Sequence, residues 1–280
     1  MRKAKDKTLK FLMSLCAAVT CLLLIGLIGY LLYRGIPGIN AKFLTTQTSY
    51  ISDSIGILPN ILNTLYLIVL VMIIVVPLGV GAAVYLTEYA SNKRISNAIG
   101  FAVETLTGIP SIIFGLVGML FFTQISGLRQ GILAGSLTLI IMVLPTVISN
   151  TKESLLAVPQ SYREGALALG SGKWHMVRTV VLPNAVDGIV TGCILAVGRV
   201  VGESAALLFT AGFAHNIYNL AVDGLSGPGA TLTVALYLYA KEQGEFGIAF
   251  AIAAILMVMT VLINLTATLL GRYFKKRRNL

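Results

Sequence analysis

Arg199 and Glu203 stand where charge is expensive. They lie in "VGRVVGESAALLFTAG", residues 197–212, inside an apolar stretch long enough to cross a bilayer. An arginine near the middle of a span costs about 2.5–3.5 kcal/mol on insertion scales, so it should face protein or water and be paired. Glu203 follows four residues later, on the same face of a helix, and is the expected partner. A guanidinium suits an oxyanion, and a neighbouring carboxylate keeps the hold weak enough for release. The two charges read either as a station on an anion path or as a purely structural ion pair. In helical register, Gly188, Gly192, Gly198 and Gly202 share their face. Small residues let another helix approach, so this face belongs in a bundle interior or at a subunit contact.

A second unusual stretch is "SYREGALALGSGKWHMVRTVVLPNA", residues 161–185. Ser161 and Glu164 have the spacing of a capping box, which predicts a short helix starting after Pro159. Gly170 and Gly172 permit a reversal, and 173–181 reads as a second short helix before Leu182-Pro183. The expected product is a helix-turn-helix elbow. Gly165 and Ala166 make its surface small, which suits docking into a protein groove; an amphipathic helix resting on headgroups is the competing reading.

Other chemistries find no residues. A phosphate-gripping loop needs G-x-x-x-x-G-K-[ST], but the nearest approach has Leu167 at the first glycine and Trp174 where the hydroxyl belongs. His175 and His215 are isolated, and no cysteine pair has zinc-ligand spacing. Cys16, Cys21 and Cys193 fall within spans as small packing residues. No catalytic residue, metal site or nucleotide site is expected in this chain.

The elements that carry these stretches follow from hydropathy. Of 280 residues 56% are hydrophobic and 11% charged. That balance is outside the range of soluble domains, and the alternation of β-barrel strands is missing. A helix needs roughly 20 apolar residues to cross a bilayer. Six stretches qualify: 11–33, 61–85, 102–122, 132–149, 188–210 and 248–270. The first is too long for a signal-peptide core and lacks a cleavage site, so it reads as retained. In 102–122, Gly108, Ser111, Gly115 and Gly118 recur as a small-residue seam beside Pro110, for packing rather than pore lining.

Sixteen of the 21 Lys and Arg fall on one side of such a six-span path, at 2–10, 93–94, 152–178 and 272–278. Only Arg34, Lys42, Arg129 and Lys241 fall on the other. The positive-inside rule makes both termini and the elbow cytoplasmic in a multi-pass cell-membrane protein. The basic run at the C-terminus then reads as an anchor on acidic membrane lipid rather than a nucleic-acid site.

Glu164-Gly165-Ala166, then Gly170, then Leu182-Pro183 resembles the EAA loop of ABC importer permeases, with Gly165 where the pattern has alanine. That family's loop is a coupling helix seated in a cytoplasmic ATPase, which implies ATPase coupling by Ser161, Glu164, Gly165, Ala166 and Gly170. The 108–116 stretch and the 198–210 stretch resemble the phosphate-specific members, PstA-type more than PstC-type. The resemblance implies an all-α membrane protein with six transmembrane helices and a MetI-like permease core. It divides the chain into 1–55 (basic start, first span and outer connection), 56–270 (permease domain with coupling loop 150–187) and a basic tail, 271–280. It further implies a PstC-type heterodimer partner, two PstB-type ATPase copies that bind ATP and Mg, and a PstS-type phosphate-binding protein. Arg199 and Glu203 would be the charged pair of the phosphate path. Four rivals are open: an ABC importer permease for another oxyanion or small solute, since phosphate rests on the likeness alone; a secondary transporter, which should show internal repeats; an intramembrane enzyme, which lacks its catalytic set; and a scaffold, which leaves the elbow unexplained.

Overall fold

The computed structural model describes residues 2–49, 54–214 and 227–276. It is helical throughout except for one small hairpin. The first helix, α1 (Arg2–Gly35), carries Phe11, Leu22, Leu23 and Ile25 outward. Only its last turns touch the rest of the chain. There Tyr30 meets Phe250 edge-on at 5.8 Å, and the Arg34 guanidinium sits 5.6 Å over the same ring. An apolar helix so little covered by its own chain has lipid or a partner as its solvent.

A short connection follows. Asn40 caps α2 (Ala41–Thr45) by accepting from the Phe43 amide at 2.8 Å, and β1 (Gln47–Ser49) pairs antiparallel with β2 (Ser54–Ile57). Pro59 then opens α3 (Leu58–Val84) in the first turn, where its missing N–H costs nothing. A π-helical turn, Tyr85–Tyr89, ends that span.

The core is built by α3, α6 (Ile132–Leu156) and α9 (Leu182–Gly202). Leu67, Val71, Val75, Leu139, Met142 and Val200 fill it. The helices come close because glycine faces a side chain: a Cβ on Gly79 would lie 2.7 Å from Val147 Cγ1, and one on Gly192 2.7 Å from Asn150 Cβ. Gly188 meets Ser154 still more closely. Substituents at Gly188 and Gly192 would push α6 and α9 apart.

The third expected span, 102–122, is not one straight helix. Residues there form α4 (Lys93–Thr107) and α5 (Ser111–Gly118, continuing as a π-helical turn over Met119–Ile125), set at 100° to each other. Pro110 is the cause: it disfavours helical geometry at Ile109, and Gly108 caps α4. The small-residue seam is split accordingly. Gly115 and Gly118 lie against Ala206 and Thr138, whereas Gly108 and Ser111 stand at the bend. Among the described residues, five helices are long and apolar enough to cross a membrane; the bent pair adds a sixth crossing if its halves form one span, and is a re-entrant loop if they do not.

After α9 come α10 (Ala205–Thr210), α11 (Leu232–Tyr237, prolonged by Leu238–Glu242) and α12 (Phe246–Lys276). His215 lies outside the described residues. A second core, with Phe43, Ile57, Leu232, Tyr239 and Ile252, ties α11 to α12 and to the hairpin. At the far end of α12, Gly271 meets Val190, which places that end beside the middle of α9. The basic tail expected from 271 does not begin at a break, because α12 runs on through Lys276; residues 277–280 lie outside the described range.

Candidate functional site: the elbow and the intramembrane arginine

The elbow forms, with two differences from expectation. Its first helix, α7 (Gln160–Ala168), starts from Pro159, whose extended backbone (φ −57°, ψ 139°) is the cap. Ser161 therefore sits inside the first turn and no capping box closes with Glu164. Gly170 supplies the reversal: at φ +79° it adopts the left-handed conformation that is strained for residues with a side chain. The Ser171 amide reaches back to the Ala166 carbonyl at 3.2 Å and the Gly170 amide to that of Leu167 at 3.0 Å. Together the two bonds close a Schellman turn. The second helix, α8 (Lys173–Met176), is not separate. It runs through a π-helical turn, Val177–Val181, into α9, so that Lys173–Gly202 is one rod, and the wider turn absorbs Pro183 without a break.

What fixes the elbow is Arg163, whose charge in the sequence speaks only to orientation. Its Nε and Nη2 donate to Glu88 Oε1 at 3.1 and 2.9 Å, its Nη1 to the Val158 carbonyl at 2.7 Å, and its Nη2 also to Leu155 at 2.8 Å. One side chain thus joins the elbow to the end of α3 and caps the C-terminus of α6, where backbone carbonyls lack helical partners. Both side chains are nearly dry, 11% and 6% exposed. Beneath them Val84, Leu155, Val158, Met176 and Val181 form an apolar seat.

The opposite side of the elbow is open. Glu164 is exposed, and a Cβ built on Gly165 meets nothing within 4 Å. Ala166 is half-buried. Ser161, Tyr162, Gly165, Leu169, Gly170 and His175 line a shallow concavity of about 640 Å³.

The intramembrane charges are arranged otherwise than expected. Arg199 is half-buried on α9, and its Nη1 donates to Thr146 Oγ1 on α6 at 3.1 Å. Glu203 is not its partner. The helix ends at Gly202, and Glu203 is extended (φ −80°, ψ 122°), so the four-residue register that would align the two charges is lost. The Glu203 carboxylate instead accepts from the Ala206 amide at 3.0 Å. That bond satisfies an orphan donor at the start of α10. Its carbonyl accepts from Thr233 Oγ1 at 2.8 Å. Among the described residues, no carboxylate is in ion-pair contact with Arg199. The glycines of α9 divide as well: Gly188 and Gly192 pack against α6, while a Cβ built on Gly198 or Gly202 meets nothing within 4 Å.

Residues 75–279 match the family described as "Binding-protein-dependent transport system inner membrane component". The chain is 36% identical over 289 aligned positions to the probable ABC transporter permease protein YqgI of Bacillus subtilis, covering 99% of this chain and 98% of that one. It is 36% identical over 210 positions to the phosphate transport system permease protein PstA 1 of Mycobacterium tuberculosis, covering 74% and 67%. Among solved structures, a bacterial alginate ABC transporter bound to a pentasaccharide-loaded periplasmic protein superimposes with a TM-score of 0.69 at 18% identity, over 98% of each chain. An elbow between long apolar helices, on a fold shared with such transporters and a sequence matched over most of its length, has one reading: the chain belongs to the inner-membrane permease family of binding-protein-dependent ABC importers.

Proposed function

We propose that this permease subunit carries inorganic phosphate. The observation that carries the reading is Arg199, a half-buried guanidinium whose described side-chain partner is the neutral hydroxyl of Thr146. A half-buried charge whose described partner is neutral has donors left for an anion, and a transient oxyanion completes it. The PstA proteins of M. tuberculosis and Xylella fastidiosa, 36% and 31% identical, are named for phosphate and make phosphate the first choice among oxyanions. Arg199 is then the station on the path, and Glu203 shapes the end of α9 beside it rather than balancing its charge.

The remaining parts follow from the family's architecture. A related PstC-type subunit completes the path against the open Gly198 and Gly202 face. Two PstB-type ATPases bind and hydrolyse ATP with Mg, and the elbow docks into them from a cytoplasmic side that also holds both termini. A PstS-type protein delivers phosphate from the other side. No covalent step is assigned to this chain.

The test is uptake of radiolabelled phosphate by vesicles holding the full complex, with ATP supplied on the ATPase side. Accumulation that needs ATP and is indifferent to excess sulfate is expected. Accumulation without ATP would sink the ATP-driven scheme; equal suppression by sulfate would replace phosphate with oxyanions at large. A second expectation concerns docking. Glu164 is exposed, and no hydrogen bond ties its carboxylate to the described chain. Glu164→Ala should therefore change the stability of the fold by no more than about 0.5 kcal/mol, the usual range for surface substitutions. Recovery of the ATPase on co-purification should nevertheless drop, and undiminished recovery counts against a role for this carboxylate.

A further inference from the structure

An apolar groove of about 550 Å³ opens where α3 meets the α8–α9 rod. Its floor is Val76, Val80 and Leu182, and its rim is Tyr85, Tyr89 and Trp174. Aromatic side chains with a polar tip collect where hydrocarbon gives way to headgroups, so the rim marks the level of the interface at the elbow end. The groove is open at Gly81, one turn from Tyr85, where there is no side chain and no other atom of the described chain lies within 4 Å of a built Cβ.

The charges at its mouth are basic. Lys173 Nζ lies 5.1 Å over the Tyr89 ring. The π face of that ring holds the cation at the rim. Arg178 is exposed on the same rod, within the π-helical turn that lies between the groove-lining Trp174 and Leu182. The nearby carboxylate, Glu88, is occupied by Arg163. A floor for hydrocarbon, an aromatic rim and two cations form the complement of one amphiphile.

We infer that this groove is a binding site for an anionic phospholipid, one acyl chain lying along Val76, Val80 and Gly81 and the headgroup phosphate meeting Lys173 and Arg178. The site lies at the elbow end of α3, shares no lining residue with the contact between Arg199 and Thr146, and does not depend on what the transporter carries. Its occupant bridges the end of α3 and the base of the rod.

Trp174 is the only tryptophan of the chain, so its fluorescence reports the groove directly. The full chain is reconstituted in vesicles of phosphatidylcholine and phosphatidylglycerol in which one or the other bears brominated acyl chains, which quench tryptophan on contact. Half-maximal quenching should need at least about a fivefold lower mole fraction of brominated phosphatidylglycerol than of brominated phosphatidylcholine, since each basic residue near an acidic surface confers about that preference and two are present. Gly81→Leu, which meets no atom of the chain at Cβ, should abolish that preference by filling the groove. Arg178→Gln should keep the quenching by both lipids and reduce the preference. Identical curves for the two lipids in the unaltered chain overturn the proposal, as does a preference that survives Gly81→Leu. Trp174 shielded from both quenchers would overturn it too, and would give the groove to a protein partner instead.

Discussion

Replacing Arg199 with alanine is expected to lower ATP-driven phosphate uptake by at least about two orders of magnitude while the complex still assembles. The guanidinium has a single described hydrogen bond, to Thr146. Losing such a bond costs the fold about 1 kcal/mol. Removing an uncompensated charge from a membrane helix returns more than that, so stability should hold or rise. Transport bears the loss. Charge-assisted hydrogen bonds are worth about 1.5–3 kcal/mol each, and two of them to one anion account for the predicted fall. Arg199→Lys keeps the charge but not the planar fork, and should retain part of the uptake. Initial uptake rates beside size-exclusion profiles make the comparison; full transport by the alanine variant, properly assembled, would reduce Arg199 to a packing residue.

The second large effect should come from Arg163. Its ion pair with Glu88 is nearly dry. Removing one member of such a pair costs about 3–5 kcal/mol, because the other charge is left buried. Arg163→Ala also strips donors from the Leu155 and Val158 carbonyls. Thermal unfolding of the complex should therefore shift to sharply lower temperature. Because the lost contacts join the elbow to α3 and α6, phosphate moved per ATP hydrolysed should fall as well. Adding Glu88→Ala to Arg163→Ala should restore part of the stability, since no carboxylate then remains unpaired, but not the coupling ratio. Independent, additive losses from the two substitutions would show that the pair is not a unit.

These two residues also mark what the sequence discloses and what it hides. The long apolar runs and the turn at Gly170 are local: a bilayer's thickness and a positive φ each leave their mark within a few positions. The link between Arg163 and Glu88 bridges 75 positions, and no periodicity connects them. A lone acid at the end of a span, where acids are costly, is the available hint. Glu203 departs from expectation for the opposite reason. Four-residue spacing implies a shared face only while the helix lasts, and the chain leaves helical geometry at that residue. The bend at Gly108-Ile109-Pro110 carries the same lesson: Pro110 is plain in the sequence, but the glycine pattern across it suggests a continuity that only half of it supports.

Along α6, Ser154, Asn150 and Thr146 recur at every fourth position, and on α9 they meet Gly188, Gly192 and Arg199 in the same order. The foot of this ladder stands within a few residues of the carbonyls that Arg163 clasps. Eight residues of helix, about 12 Å at the usual rise, separate that foot from the rung held by the guanidinium. Rungs this close tie α6 to α9 at both ends of the ladder, so a tilt of the elbow end is expected to displace the arginine with it, like the far tooth of a single gear.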